Sequence, residues 1–184
     1  MLRADNLDEG TRKNSEQGGK IVRLGAFTDK GRAREINEDN FFVSEPNDAS
    51  GARFCIIADG MGGHKAGEVA SKMAVDIISS SFENALSSKK IDEYNIVDII
   101  KNSIWRANDE IYKKSIENDE FSGMGTTVTL AYEVKGKFFI GHVGDSRAYL
   151  LRDGSLRQIT KDHSLVEELV SNGSITKEEA RFHP

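Results

Sequence analysis

The sequence predicts an α+β fold: two sheets with helices packed outside them. Three observations predict it. Short apolar runs punctuated by turn residues fill both ends of the ordered region, two long amphipathic stretches separate those ends, and glycine turns sit where hairpins should close. A length of 184 residues suits one domain of ordinary size.

In chain order, residues 1–20 are rich in Ser, Asn, Gly and charge and carry no period, which predicts a flexible tail with order beginning at Ile21. Strands are expected near 21–27, 41–43, 53–58, 127–133, 137–143 and 147–151. Lys135-Gly136 and Asp153-Gly154 fall where hairpin turns need a positive φ. Between early and late strands, Ala70, Met73, Ala74, Ile77, Ile78, Phe82, Ala85 and Leu86 recur at three-four spacing. Ile96, Ile99, Ile100, Ile104, Ala107 and Ile111 repeat the pattern, so each helix should lie on a sheet with its other face wet. Near the end, Ser164 with Glu167 and Thr176 with Glu179 fit capping boxes, with Asn172-Gly173 as a stop between them.

Composition excludes several functions. With 38% hydrophobic and 30% charged residues, the chain reads as soluble and globular. No apolar run approaches the ~20 residues that span a bilayer. The first twenty residues lack the apolar core of a secretory signal, so a cytoplasmic location is the default. A single cysteine, Cys55, agrees with a reducing compartment. A formal net charge of −5 speaks against nonspecific nucleic-acid binding.

Chemistry concentrates in three acidic turns. Phe54-Cys-Ile-Ile-Ala-Asp59-Gly60-Met-Gly-Gly-His64 delivers a carboxylate at the end of an apolar strand, followed by glycines that let a metal or phosphate approach the backbone. An ordinary glycine turn would read the same way. It is not a Walker P-loop, because Lys65 lies between His64 and Ala66. Arg34-Glu-Ile-Asn37-Glu38-Asp39-Asn40 joins a guanidinium, able to grip phosphate, to carboxylates suited to Mg²⁺ or Mn²⁺. Gly144-Asp145-Ser146-Arg147 places a third acid between two strands. Read singly, each of these last two is more often an ordinary solvated turn.

In order, Arg34-x-x-Asn-Glu-Asp39, Ala58-Asp59-Gly-Met-Gly-Gly-His64, Gly123-Met-Gly-Thr-Thr127 and Val143-Gly-Asp-Ser-Arg147 resemble the type 2C (PPM) metal-dependent serine/threonine protein phosphatases, in particular the compact bacterial branch. The stretch from Leu156 to Pro184 resembles that family's flap. The resemblance implies a sandwich of two antiparallel sheets flanked by helix pairs. It makes residues 21–184 a partial phosphatase domain, with a small helical flap at about 155–184. It implies two Mn²⁺ or Mg²⁺ ions and a weaker third. Asp59 would bridge the two metals, the Gly60 carbonyl would bind one, Glu38 and Asp39 would hold the pair directly or through water, and Asp145 would take the third. Arg34 would grip the substrate phosphate. Water activated between two cations about 3.5–4 Å apart would attack phosphorus directly, without a phosphoenzyme.

Two features of the sequence agree with that chemistry. Cys55 sits in an apolar strand with no Arg-rich loop after it, which suits a structural thiol. Asp59 is followed by Gly60 and Met61, not by the second acid of an aspartyl-phosphate enzyme. The general acid stays open: His64 could protonate the leaving oxygen or cap the following helix. His163 reads as a flap surface residue.

Members of the family continue past the flap into strands bringing Asp-Gly and Asp-Asn motifs, each with a metal-ligand aspartate. The expectation is therefore a C-terminally truncated chain of weak or no activity, with bare strand edges. The competing class is a non-catalytic module that binds phosphoproteins or a regulatory partner. Expected partners are phosphorylated proteins and a cognate serine/threonine kinase system, with neither nucleic acid nor membrane.

Overall fold

The computed structural model describes residues 24–44, 53–63, 66–88, 91, 95–134 and 136–180. The expected tail at 1–20, the start of the 21–27 strand, His64 and the last four residues of the flap lie outside them. Residues 24–27 form no strand. Leu24 and Phe27 are 41% and 76% exposed, so little apolar burial offsets the entropy of ordering a strand there.

The elements run β1 (Asp39–Val43), β2 (Arg53–Met61), α1 (Ala66–Ser87), α2 (Ile96–Glu117), a 3₁₀ turn (Asp119–Phe121), β3 (Gly125–Thr126), β4 (Val128–Val134), β5 (Lys137–Val143), β6 (Tyr149–Arg152), β7 (Ser155–Gln158), α3 (Leu165–Ser171) and α4 (Lys177–Ala180). An antiparallel sheet is ordered β1-β2-β4-β5, with β3 added to the end of β2. β6 and β7 form a second, two-stranded antiparallel sheet. The α+β class with antiparallel sheets is thus the one read from the sequence. The helical pair in this structure is α1 and α2.

Alternation decides which face is buried. Phe54, Ile56 and Ala58 of β2 pair in register with Tyr132 and Leu130 of β4 and with Phe42 and Asn40 of β1, and this face meets the helices. α1 presents Ala70, Ala74, Ile78 and Phe82, all fully buried, at four-residue spacing. Its small residues let the helix approach the strands closely. Further along, the rings of Phe42, Phe54, Phe82 and Tyr132 form a continuous stack with centroids 4.8 to 5.7 Å apart.

α2 packs on α1 and reaches the sheet over Gly141, where an added Cβ would stand 2.6 Å from Ile100 Cγ2. The opposite face of the main sheet is only partly covered among the described residues: Thr129 and Glu133 on it are buried, but its apolar side chains are not. Phe41, Ile57 and Phe138 on it are 40%, 46% and 61% exposed.

The terminal helices form as their caps dictate. Ser164 Oγ accepts from the Glu167 amide at 3.2 Å. Thr176 and Glu179 bond reciprocally, amide to carboxylate at 2.8 Å and amide to hydroxyl at 3.1 Å. Gly173, at φ +78°, follows α3.

Candidate functional site

The β1–β2 ladder sets Asp39 directly opposite Asp59. Like charges so placed repel, and a sheet built only for stability would avoid them. Asp39 is held locally: its amide donates to Asn37 Oδ1 at 3.1 Å, and Thr28 Oγ1 donates to its Oδ2 at 3.3 Å. Asp59 was expected at the end of its strand. Pairing of Gly60 with Thr126 and of Met61 with Gly125 carries β2 two residues further, so Asp59 sits within the ladder.

Glu38 is fixed by its backbone. Its carbonyl accepts from the Gly60 amide at 3.1 Å and from Ser71 Oγ at 2.5 Å. Ser71 is fully buried in α1 and its oxygen also accepts from Asn40 Nδ2 at 2.9 Å. The Glu38 carboxylate lies over the first turn of α1, where a Cβ on Gly67 would come within 2.5 Å of Oε1. Arg34 Nη1 lies 3.5 Å from Glu38 Oε2, with the Arg34 side chain 76% exposed and that of Glu38 only 15%. The arginine is therefore beside the acids with its head in solvent.

Asp145 reaches the same neighbourhood through Thr127. The Asp59 amide donates to Thr127 Oγ1 at 3.0 Å, and the Thr127 amide donates to the Asp59 carbonyl at 2.9 Å. The same hydroxyl pairs with Ser146 Oγ at 2.7 Å, and Thr129 Oγ1 donates to the Ser146 carbonyl at 3.2 Å. Gly144 takes φ +103°, and a Cβ there would stand 2.7 Å from Thr127 Cγ2. Asp145 itself is exposed.

Electrostatics mark Asp59 as the centre of this group. Its carboxyl is pushed above the ordinary aspartate range, first by desolvation and then by Asp39, Asp145 and Glu38, while Arg34 pulls it down. Three acids thus bear on Asp59, with Arg34 the opposing charge. The donors are hard oxygens, with a glycine cradle that a side chain at 60 or 67 would fill, and this fits Mg²⁺ or Mn²⁺ rather than a softer metal. Among the described residues, no three His, Cys, Asp or Glu side chains converge tightly enough to complete a cation's ligand set.

Arg34, Glu38, Asp39, Asp59, Gly60 and Asp145 lie at one end of the sheet, whereas His64 falls outside the described residues. Cys55 is half-buried on the partly covered face, and burial pushes its thiol up, which keeps it protonated and inert. Sequence reasoning missed the supporting residues Ser71, Gly67 and Thr127. Thr127 lies inside a motif that was noticed, yet only the three-dimensional pairing gives its hydroxyl a task.

Residues 29–181 match the family model described as Protein phosphatase 2C. The chain is 44% identical over 160 residues to the serine/threonine phosphatase stp of Listeria monocytogenes serotype 4b, covering 85% of this chain and 61% of that protein. It is 38% identical over 164 residues to the serine/threonine protein phosphatase PstP of Mycobacterium tuberculosis, covering 89% and 29%. The S. agalactiae serine/threonine phosphatase structure superposes with a TM-score of 0.77 at 38% identity, over 86% of this chain and 63% of that one. The catalytic domain of PstP in complex with two manganese ions gives a TM-score of 0.67 at 36% identity, over 83% and 60%. The chain spans about three-fifths of the length of the Listeria relatives it matches. No helix among the described residues is long and apolar enough to cross a membrane. With matched motifs, matched fold and a family model covering most of its length, the chain belongs to the protein phosphatase 2C family.

Proposed function

We propose that the protein carrying this chain hydrolyses phosphoserine and phosphothreonine in proteins with the help of Mn²⁺ or Mg²⁺. The observation that carries the reading is the placing of Asp39 directly opposite Asp59 on neighbouring strands, with the Asp59 carboxyl raised first by burial and then by Asp39, Asp145 and Glu38. Bound cations would offset the crowding of acids there.

Asp59, the Gly60 carbonyl, Glu38 and Asp39 would hold a pair of cations, and Asp145 a further, weaker one. When bound, these cations supply activation of water and neutralisation of phosphate charge. The residues of the chain do the rest. Arg34, solvent-facing beside Glu38, would turn to take two phosphate oxygens at once. The ladder keeps the backbones of Asp39 and Asp59 in fixed register, so only their side chains would have to turn toward a cation. A phosphoprotein substrate suits the exposed position of the site, because an extended chain can lie across it. The flap is proposed to run from about residue 155, through β7, α3 and α4. A cognate serine/threonine kinase system would supply the substrates.

The test is Mn²⁺-dependent release of phosphate from a phosphothreonine peptide, with Asp59→Asn as control. Hydrolysis that requires Mn²⁺ and is lost in the control supports the reading. Phosphopeptide binding without hydrolysis, in this chain and in any longer form of the protein, would favour a binding module.

A further inference from the structure

We propose that Asp162 is a positioning residue for Asp145: by clamping Arg147 it fixes the turn at 144–147 and sets how tightly Asp145 takes up a divalent cation. The inference rests on the metal-dependent reading above.

The turn is held from two sides. On the core side, Ser146 is bonded to Thr127 through its hydroxyl and to Thr129 through its carbonyl. On the other side, the segment leading into α3 ties down the residues flanking Asp145. Arg147 Nε reaches Asp162 Oδ1 at 3.0 Å and Oδ2 at 2.9 Å, and Nη2 reaches Oδ2 at 2.6 Å. The His163 amide donates to the Gly144 carbonyl at 2.8 Å. The Ala148 amide donates to Thr160 Oγ1 at 3.0 Å, and the Ile159 amide returns a bond to the Ala148 carbonyl at 2.9 Å. His163 also lays its ring against His142 of β5, centroids 5.1 Å apart. Expected as a plain surface residue, His163 is exposed yet docked.

Asp162 is a strut rather than a ligand. Its side chain is only 11% exposed, and its oxygens are occupied by the guanidinium and by Gln158 Nε2 at 3.0 Å. A bidentate guanidinium–carboxylate pair fixes direction as well as distance. Direction matters here because Gly144, with φ +103°, leaves the turn with backbone freedom that Arg147 must restrain. A restrained turn presents Asp145 already ordered, so cation binding costs less entropy. Arg147 is half exposed, and an ion pair of that kind adds little to global stability. Its effect should therefore appear in binding and not in unfolding.

The test is direct Mn²⁺ binding, read as loss of the free-ion electron paramagnetic resonance signal, for the unmodified chain and for Asp162→Asn, Asp162→Glu, Asp145→Asn and Asp59→Asn. Thermal unfolding is followed in parallel. Asp145→Asn should remove the weakest class of site. Asp162→Asn should weaken that same class roughly tenfold, the low end for groups that orient a ligand, while the tighter sites and the unfolding midpoint stay in place. Asp162→Glu should recover part of the loss. An Asp162→Asn isotherm superimposable on the parent's overturns the inference, as does a fall in unfolding midpoint with unchanged binding. Binding that responds to Asp59→Asn but not to Asp145→Asn overturns it too, leaving the metal-dependent reading intact. Indifference to both substitutions would overturn that reading and the inference together.

Discussion

Gly60 rests directly on the carbonyl of Gly67, so closely that a Cβ on Gly60 would overlap that oxygen. The end of β2 and the first turn of α1 therefore touch backbone to backbone, and the Glu38 carboxylate occupies the space a side chain at 67 would need.

Gly67→Ala should thus behave opposite to an ordinary helix position. There, alanine gains about 0.5–1 kcal/mol over glycine. Here the new methyl would press on the Gly60 backbone at 2.9 Å and on Glu38 Oε1 at 2.5 Å. Urea unfolding should show a loss of about 1–3 kcal/mol, the usual range for overpacking. A stabilised variant would show that the helix can slide away from β2 at little cost.

Thr127→Val keeps the side-chain shape and deletes the hydroxyl that joins Asp59 to Ser146. The Asp59 amide then loses its acceptor in a part-buried setting, a loss of about 1–3 kcal/mol. Thr127→Ser should retain most of the stability. Thermal unfolding of the three proteins decides the matter, and equal midpoints for Val and Thr would remove the hydroxyl from the account.

Asp59 sets a pH dependence whose sign is opposite to that of most aspartates. Its folded value is raised above the ordinary 3.8, so the folded state holds the extra proton within that window. In cation-free buffer, stability should therefore fall as pH rises from 3.8 through the raised value, and Asp59→Asn should raise the unfolding midpoint at neutral pH. Adding Mn²⁺ should stabilise the unmodified chain and do less for the variant. A midpoint lowered by Asp59→Asn without cations would contradict the repulsion.

Asp162 works the other way. Arg147 holds its carboxyl below the ordinary value chiefly through the hydrogen bonds, burial opposes them, and the charge of the guanidinium adds a lesser lowering. The stability this adds is small, because Arg147 is half exposed; it is complete above 3.8 and fades as pH falls through the lowered folded value. The Asp162 carboxyl carbon, followed by NMR, should titrate below 3.8; titration at or above 3.8 would mean that the clamp is open in solution.

Much of this was legible in the sequence where the signal is local. β5 was read at its observed limits because Lys135-Gly136 marks its start and a glycine turn its end. The two long helices followed from their periodicity, and α3 and α4 from capping boxes that are satisfied by contacts three residues apart. What was not legible depends on distant pairing. β3 is two residues long and exists only because Thr126 and Gly125 meet the end of β2. That pairing also extends β2 past Asp59, changing the acid from a strand-end residue to a ladder residue. The acids themselves could be found by motif. Ser71 carries no local signal, because its bond to the Glu38 carbonyl spans 33 positions.

Alternation along β1 and β2 puts Asp39 and Asp59 on the same face as Phe41 and Ile57, the face that is only partly covered. Anything that settles over those two apolar side chains also displaces solvent beside the acids. The local dielectric would then drop, and both the repulsion between the carboxylates and their attraction for a cation would grow in proportion. Hydrophobic cover and cation affinity at this end of the sheet are thereby coupled, although no side chain need belong to both.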